Sequence, residues 1–281
     1  MTDLQTYYDR TRFDYRHVWN RSGSLAVHFG YYDAHAHKHR FALDNMNRAL
    51  ADLAHICPGE QVLDAGCGMG GSCFWLARER GAIATGISIV VSQVVDCQRE
   101  AARQKAGQVT FLQADYCQTP FPDDHFDVVW ACESVCHTAQ KSDFYKEAFR
   151  ILKPGGRLVM AEYLRTARSL PPASERLLEQ WLRPWDIPDL NTMEEHRTNA
   201  QAAGFQEIEI RDVTDNVRVS LRNLHEISVR WLPIGRLLHR FGLVHAVRLG
   251  NAQAAVRQWE ALEVGAWRYG MLVARKGMRI E

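Results

Sequence analysis

The sequence predicts an α/β fold, a doubly wound and mostly parallel sheet of seven strands with helices on both faces. Three observations lead there. From about Gly59 to Glu162, short β-rich runs alternate with helical patterns, the rhythm of strand–helix–strand units whose parallel strands are covered on both sides. A glycine cluster, Gly66 to Gly71, cuts in directly after the first of those runs. The last patterned segment is a strand with no crossover helix after it. The final two strands are therefore expected to form an antiparallel edge, with the long helical stretch between them lying over one end of the sheet.

Taken in order, Leu43, Met46, Leu50 and Leu53 mark one face of a helix that leads into the first strand, Gln61–Asp64. A helix over Ser72–Arg80 is stopped by Gly81, and Ile83–Ile87 is the second strand. Ser92–Lys105 is a helix, Val109–Leu112 the third strand and Phe126–Ala131 an apolar fourth. Ser142–Leu152 carries Phe144, Tyr145, Ala148, Phe149 and Leu152 at helical spacing. Lys153-Pro154-Gly155-Gly156 is expected to break that helix before a fifth strand, Arg157–Tyr163. After Leu170-Pro171-Pro172 come a helix over Ala173–Trp181 and another from Thr192 to Ala203, where Thr192 and Glu195 have capping-box spacing. Glu207–Val213 and Arg268–Arg275 are the sixth and seventh strands. The helical stretch between them carries the stripe Leu224, Ile227, Trp231, Ile234, Leu238 and Phe241. These elements divide the chain into an aromatic-rich helical cap (1–56), a core (57–165), and a remainder (166–281) whose insertions at about 166–204 and 215–266 are expected to form a lid.

Composition narrows the partners. Lys and Arg number 34 against 33 Asp and Glu, a formal charge of +1, so the basic surplus of a nucleic-acid wrapper is missing. Hydrophobic residues make up 46% and charged ones 24%, the mixture of a soluble globular protein. Seven cysteines with no CxxC pair argue against a disulfide framework and for a reducing, cytoplasmic setting. No apolar run reaches the roughly 18–20 residues of a membrane span, and the N-terminus does not read as a targeting peptide. A homodimer is left open.

The loop Asp64-Ala65-Gly66-Cys67-Gly68-Met69-Gly70-Gly71 sits where a strand hands over to a helix, the place where bare backbone can approach a ligand. Gly66, Gly68 and Gly71 also satisfy the dinucleotide fingerprint. Two features argue against a nicotinamide cofactor. The acid expected about 20 residues on to hold the ribose is absent, with Ser88 in its place. Asp64 would also repel a pyrophosphate but suits an ammonium group.

Here the residues carry a resemblance. Val62-Leu63-Asp64-Ala65-Gly66-Cys67-Gly68-Met69-Gly70-Gly71 resembles motif I of the class I S-adenosylmethionine-dependent methyltransferases. The likeness continues in order through Gly86-Ile87-Ser88, Gln113-Ala114-Asp115-Tyr116, Pro120-Phe121-Pro122, Phe126-Asp127-Val128-Val129-Trp130 and Leu152-Lys153-Pro154-Gly155-Gly156. It covers roughly residues 28 to 165 well and the flanks loosely. Ala131 to Thr138 with Phe144 to Gly155 is similar to sterol 24-C-methyltransferases. His28-Phe29-Gly30-Tyr31-Tyr32 resembles tocopherol methyltransferases and bacterial farnesyl diphosphate C-methyltransferases. The resemblance implies a Rossmann-like methyltransferase fold, S-adenosylmethionine as cofactor with S-adenosylhomocysteine as product, and an isoprenoid acceptor. The best-fitting acceptor is farnesyl diphosphate or a similar prenyl diphosphate in terpene biosynthesis, and cyclisation can follow methylation. The alternative is an O- or N-methyltransferase of a hydrophobic natural product.

The resemblance also implies residue roles. Tyr8, Asp64, Gly66, Cys67, Gly68, Ser88, Ile89, Gln93, Asp115, Tyr116 and Ala131 are expected to hold the cofactor. Within that set Ser88 and Gln93 serve the ribose, and Asp115 and Tyr116 the adenine. Attack by an alkene leaves a carbocation that aromatic faces stabilise and a base quenches. Glu133 and His137, four residues apart just past the fourth strand, are the candidate bases, with Tyr31 beside them. Tyr32, Tyr163, Trp185, His196 and Arg165 are expected against the substrate, with Trp181 as a further wall. Arg168 and Arg183 join Arg165 as candidates for a diphosphate tail. Mg²⁺ enters only if the acceptor is a diphosphate, and His35-Ala36-His37-Lys38-His39 is not taken as a metal site.

Overall fold

The computed structural model describes residues 25–278. Its sheet contains β1 (Gln61–Ala65), β2 (Ile83–Ser88), β3 (Val109–Gln113), β4 (Phe126–Cys132), β5 (Leu152–Arg165), β6 (Phe205–Asp212) and β7 (Trp267–Lys276). They lie in the order β3-β2-β1-β4-β5-β7-β6. The first five pair in parallel, whereas β7 runs antiparallel to both β5 and β6. This is the expected seven-stranded sheet with its reversed last hairpin.

The central strands β1, β4, β5 and β7 bury both faces, whereas the edge strands β3 and β6 leave alternate residues exposed. Along β4, Val128 and Trp130 join one core cluster while Val129 and Ala131 join the other, the period of two of an extended chain. On the first face lie α1 (His39–Leu53), α2 (Gly71–Trp75) and α3 (Val91–Gln104). Helix α2 continues as a π-helical turn, Leu76–Arg80, ended by Gly81 at φ +64°. On the second face lie α4 (Lys141–Ile151) and α6 (Met193–Ala203). Helix α6 opens with the expected capping box. The Glu195 N–H donates to Thr192 Oγ1, and the Thr192 N–H donates back to the Glu195 carboxylate. Although expected in the lid, α6 packs against α4 and β6 on the flank of the sheet.

The three helices that do gather over one end of the sheet are α5 (Pro172–Leu182), α7 (Thr214–Arg240) and α8 (Ala246–Glu263), each packed on α8 or by it. Helix α4 ends at Ile151, ahead of residues 153–156 as expected, but β5 begins earlier than expected, at Leu152, which pairs with Phe126 before a register shift against β4. The stripe on α7 is split: Leu224 packs against the core and Trp231 is half-buried, whereas Ile227, Ile234 and Phe241 are exposed, and the buried positions of the helix include Val217, Leu221 and Leu232.

Candidate active site

The carboxyl ends of β1 to β4 open on one cavity of about 610 Å³, the place where open α/β sheets put their ligands. Asp64, Gly66, Cys67 and Gly68 line it after β1, Ser88, Ile89 and Gln93 after β2, and Asp115 and Tyr116 after β3. Cys132, Glu133, Ser134 and His137 follow from β4. The far side is a different chemistry: Tyr163, Trp185 and Ile187, then Leu224, Ile227 and Trp231 from α7, and Arg248, Asn251 and Ala255 from α8.

The glycine loop is shaped by close approach. Gly66 stands at φ +98°, and a Cβ there would lie 2.5 Å from the Ser134 Cβ, so no side chain fits. Ser134 Oγ holds the same junction by donating to the Ala65 carbonyl at 2.6 Å. Asp64 is buried, and the Cys73 thiol donates to it at 3.4 Å. Burial with so weak a donor pushes its pKa up to about 7. Ser88 Oγ donates to Gln93 Oε1 at 2.8 Å, and the Val90 N–H donates to Ser88 Oγ. The two residues expected to work together are therefore in contact. Asp115 accepts the Cys117 N–H at 2.8 Å, and Tyr116 donates to the Ser134 carbonyl at 3.0 Å.

Glu133 sits at the seam between the two halves. Its φ of +52° is rare for a residue with a side chain and, in a packed site, is held by its surroundings. Its carboxylate accepts the Phe29 N–H at 2.8 Å, the Tyr269 hydroxyl at 2.7 Å and the Tyr163 hydroxyl. Burial is the larger influence and lifts its pKa to about 7 against these three donors. His137 donates from Nδ1 to the Asp186 carbonyl at 3.2 Å, and burial lowers its pKa, so the ring is neutral near pH 7. Below this turn Glu162 accepts the N–H groups of Cys136 and Tyr163 at 2.8 and 2.9 Å, and burial raises it also to about 7.

Several expected residues lie elsewhere. Ala131 is buried on the opposite face of β4, one residue out of phase with Cys132, which does line the cavity. Tyr31 borders a second hollow with Asp33 and Arg211, because Gly30 and the bond from Tyr31 N–H to the Ala42 carbonyl turn the chain over α1. Tyr32 contacts His39 through its hydroxyl at 3.2 Å, outside the cavity. His196 is buried on the α4 side of the sheet against the Tyr145 hydroxyl at 2.8 Å. Trp181 is fully buried among Tyr163, Trp185 and Trp267. Arg165 is paired with Glu175 and Asp189, and Arg168 with Asp189 and Glu195. Arg183 is exposed and outside the cavity lining. Tyr8 lies outside the described residues. Sequence reading missed Tyr269, which faces Tyr163 in the β5–β7 register, and Arg248 and Asn251. No local pattern marks them, since antiparallel pairing and helix packing bring them in from far along the chain.

Comparison with known proteins agrees with this geometry. A family model described as a methyltransferase domain matches residues 63–160. The chain is 32% identical over 239 residues to the 2-methyl-6-phytyl-1,4-hydroquinone methyltransferase of Synechocystis sp., covering 72% of this chain and 73% of that protein. It is 30% identical over 197 residues to the 27-O-demethylrifamycin SV methyltransferase of Amycolatopsis mediterranei, covering 69% and 71%. Among solved structures, the [4+2]-cyclase SpnF matches with a TM-score of 0.79 at 24% identity, covering 98% of this chain and 96% of that one. The chain belongs to the class I S-adenosylmethionine-dependent methyltransferases, and it is an S-adenosylmethionine-dependent methyltransferase in activity.

The residues present fit that cofactor. The buried Asp64 carboxyl is raised to about 7 with only a thiol as donor, and an ammonium group beside it would favour its charged form. Gly66 and Gly68, at φ +98° and +53°, keep bare backbone along the cavity wall. The contacting Ser88 and Gln93 suit a diol.

Proposed function

We propose that this methyltransferase methylates a carbon of an isoprenoid acceptor, with Glu133 as the base. The carrying observation is the Glu133 carboxylate, buried where the glycine-loop half of the cavity meets the apolar half and lifted to about 7. Asp64 takes the amino group of the cofactor, the Gly66–Gly68 backbone its methionine portion, Ser88 and Gln93 its ribose, and Asp115 and Tyr116 its adenine. Bound there, S-adenosylmethionine supplies an electrophilic methyl group whose transfer leaves a neutral thioether.

The apolar half aligns the acceptor, which is most of what a displacement at a sulfonium requires. When the π electrons of an alkene form the new C–C bond, the adjacent carbon is left positive. The rings of Tyr163, Trp185 and Trp231 border that space and stabilise a cation by their faces. Glu133 then takes a proton from a neighbouring carbon, and the C–H pair restores the double bond. Internal attack by a second double bond gives a ring instead. A prenyl diphosphate such as farnesyl diphosphate has its chain against α7, with its charged end toward Arg248 and Asn251; any Mg²⁺ would be held by the diphosphate itself, since among the described residues no cluster of His, Cys, Asp or Glu could hold one. A 32% identical relative whose name carries a phytyl chain supports the isoprenoid reading.

One observation favours a second reading, O-methylation of a hydrophobic phenol. A carboxylate near pKa 7 beside two phenolic hydroxyls is also suited to take a hydroxyl proton. The test is incubation with labelled cofactor and a panel of prenyl diphosphates, prenylated quinols and phenols, read by mass spectrometry with fragmentation. Methyl on carbon of a prenylated acceptor supports the first reading. Methyl confined to oxygen overturns it in favour of the second.

A further inference from the structure

We infer that the outward face of the C-terminal half of α7, with the loop that follows it, docks on an anionic membrane surface beside the cavity mouth. The C-terminal part of the apolar stripe on α7 is not used by the core. Ile234, Leu237, Phe241 and Leu243 are 58, 57, 69 and 71% exposed, an amount of large apolar surface that calls for a partner. The patch adjoins the cavity, because Ile227 is both 58% exposed and part of its lining.

Charge selects the partner. From Ile227 to Trp259 the chain carries five arginines and no Asp or Glu. Arg230, Arg236 and Arg240 stand exposed along the patch, the first of them bridging back to Glu226 at 3.1 Å. Apolar side chains flanked by arginines are the composition of a helix that lies in a lipid headgroup layer. A second copy of this chain fits poorly, since a two-fold contact would press two arginine-rich faces together. Among the described residues no helix is long and apolar enough to cross a membrane, so the association is peripheral. Acceptors dissolved in lipid would pass over Ile227 into the cavity without crossing water. That purpose rests on the apolar acceptor proposed above, whereas the docking itself does not.

The full chain, mixed with vesicles of phosphatidylcholine with and without phosphatidylglycerol, tests this by flotation. Binding to the anionic vesicles, weakened by salt, with little to phosphatidylcholine alone, is expected. Arg236→Ala with Arg240→Ala should weaken it roughly 30-fold, at about a kilocalorie per mole for each arginine. Ile234→Glu with Phe241→Glu should abolish it while leaving S-adenosylhomocysteine affinity, measured by calorimetry, unchanged. Absence of binding, equal binding to both vesicle types, or a dimer in solution that Ile234→Glu splits would overturn the proposal. No acceptor is present in this assay, so a failure of the isoprenoid reading shows in the acceptor panel and not here.

Discussion

The two halves of the cavity are built in different ways. The glycine-loop half is made of short segments, each directly after its own strand: Asp64–Gly68, Ser88–Gln93 and Asp115–Tyr116. Once the parallel sheet forms, these residues have nowhere else to be. The apolar half is assembled mainly from α7, α8 and the 183–187 stretch, whose contributions depend on how long helices cross, with Tyr163 added from β5. The first half is a fixed grip with backbone walls. The second is a set of side chains that can be exchanged without disturbing the sheet, which is how one fold comes to serve many acceptors.

Substitutions should separate the halves, and the largest effects belong to the grip and the seam. Glu133→Gln removes the proposed base, and turnover should fall by roughly 10² to 10⁴-fold with S-adenosylhomocysteine binding nearly intact. Unchanged turnover would sink the assignment. Gly66→Ala sets a methyl 2.5 Å from the Ser134 Cβ at φ +98°. It should cost about 3 kcal/mol of stability in denaturant titration, together with cofactor binding. Tyr269→Phe deletes one of the donors that favour the Glu133 carboxylate. Its pH–rate profile should shift to higher pH, with about a tenfold loss at neutrality. On the acceptor side, Trp231→Ala should raise the KM for the acceptor several-fold and leave cofactor affinity alone. A loss of cofactor binding there would show that the halves are not separable.

The buried carboxyls give a test by pH. Asp64, Glu133 and Glu162 all titrate near 7 when folded, chiefly because burial disfavours their charge. A carboxyl raised on folding binds its proton more tightly in the native state. Its stabilising contribution is therefore full below about pH 4, the unperturbed range, and is lost as pH rises through about 7. Without cofactor, the melting temperature should drop between pH 5.5 and 8. Glu133→Gln, which cannot ionise, should reduce that drop. Turnover should run the other way, rising with pH as Glu133 loses its proton, and a flat turnover profile would mean that Glu133 is not the base.

The sequence by itself determined the sheet, the glycine turn and the residues that follow β1, β2 and β3 into the cavity. These follow from local rules: short β-rich runs set between helical patterns, glycine where a side chain cannot fit, and a capping pair three residues apart at Thr192 and Glu195. Legible in the same way were Glu133 and the Ser88–Gln93 contact, which lie within a few residues of strand ends. Tertiary structure decided the rest. Strand phase sent Ala131 to the far face, and Gly30 turned Tyr31 and Tyr32 away from the cavity. Helix packing placed His196 beside Tyr145, tied Arg165 and Arg168 into ion pairs, and brought Arg248 to the cavity instead. Register between β5 and β7 put Tyr269 beside Tyr163, so that two hydroxyls from distant strands meet one carboxylate. A local pattern fixes which way a residue points on its own element. What it meets there is set by the contacts of the other elements, which no short window of sequence contains.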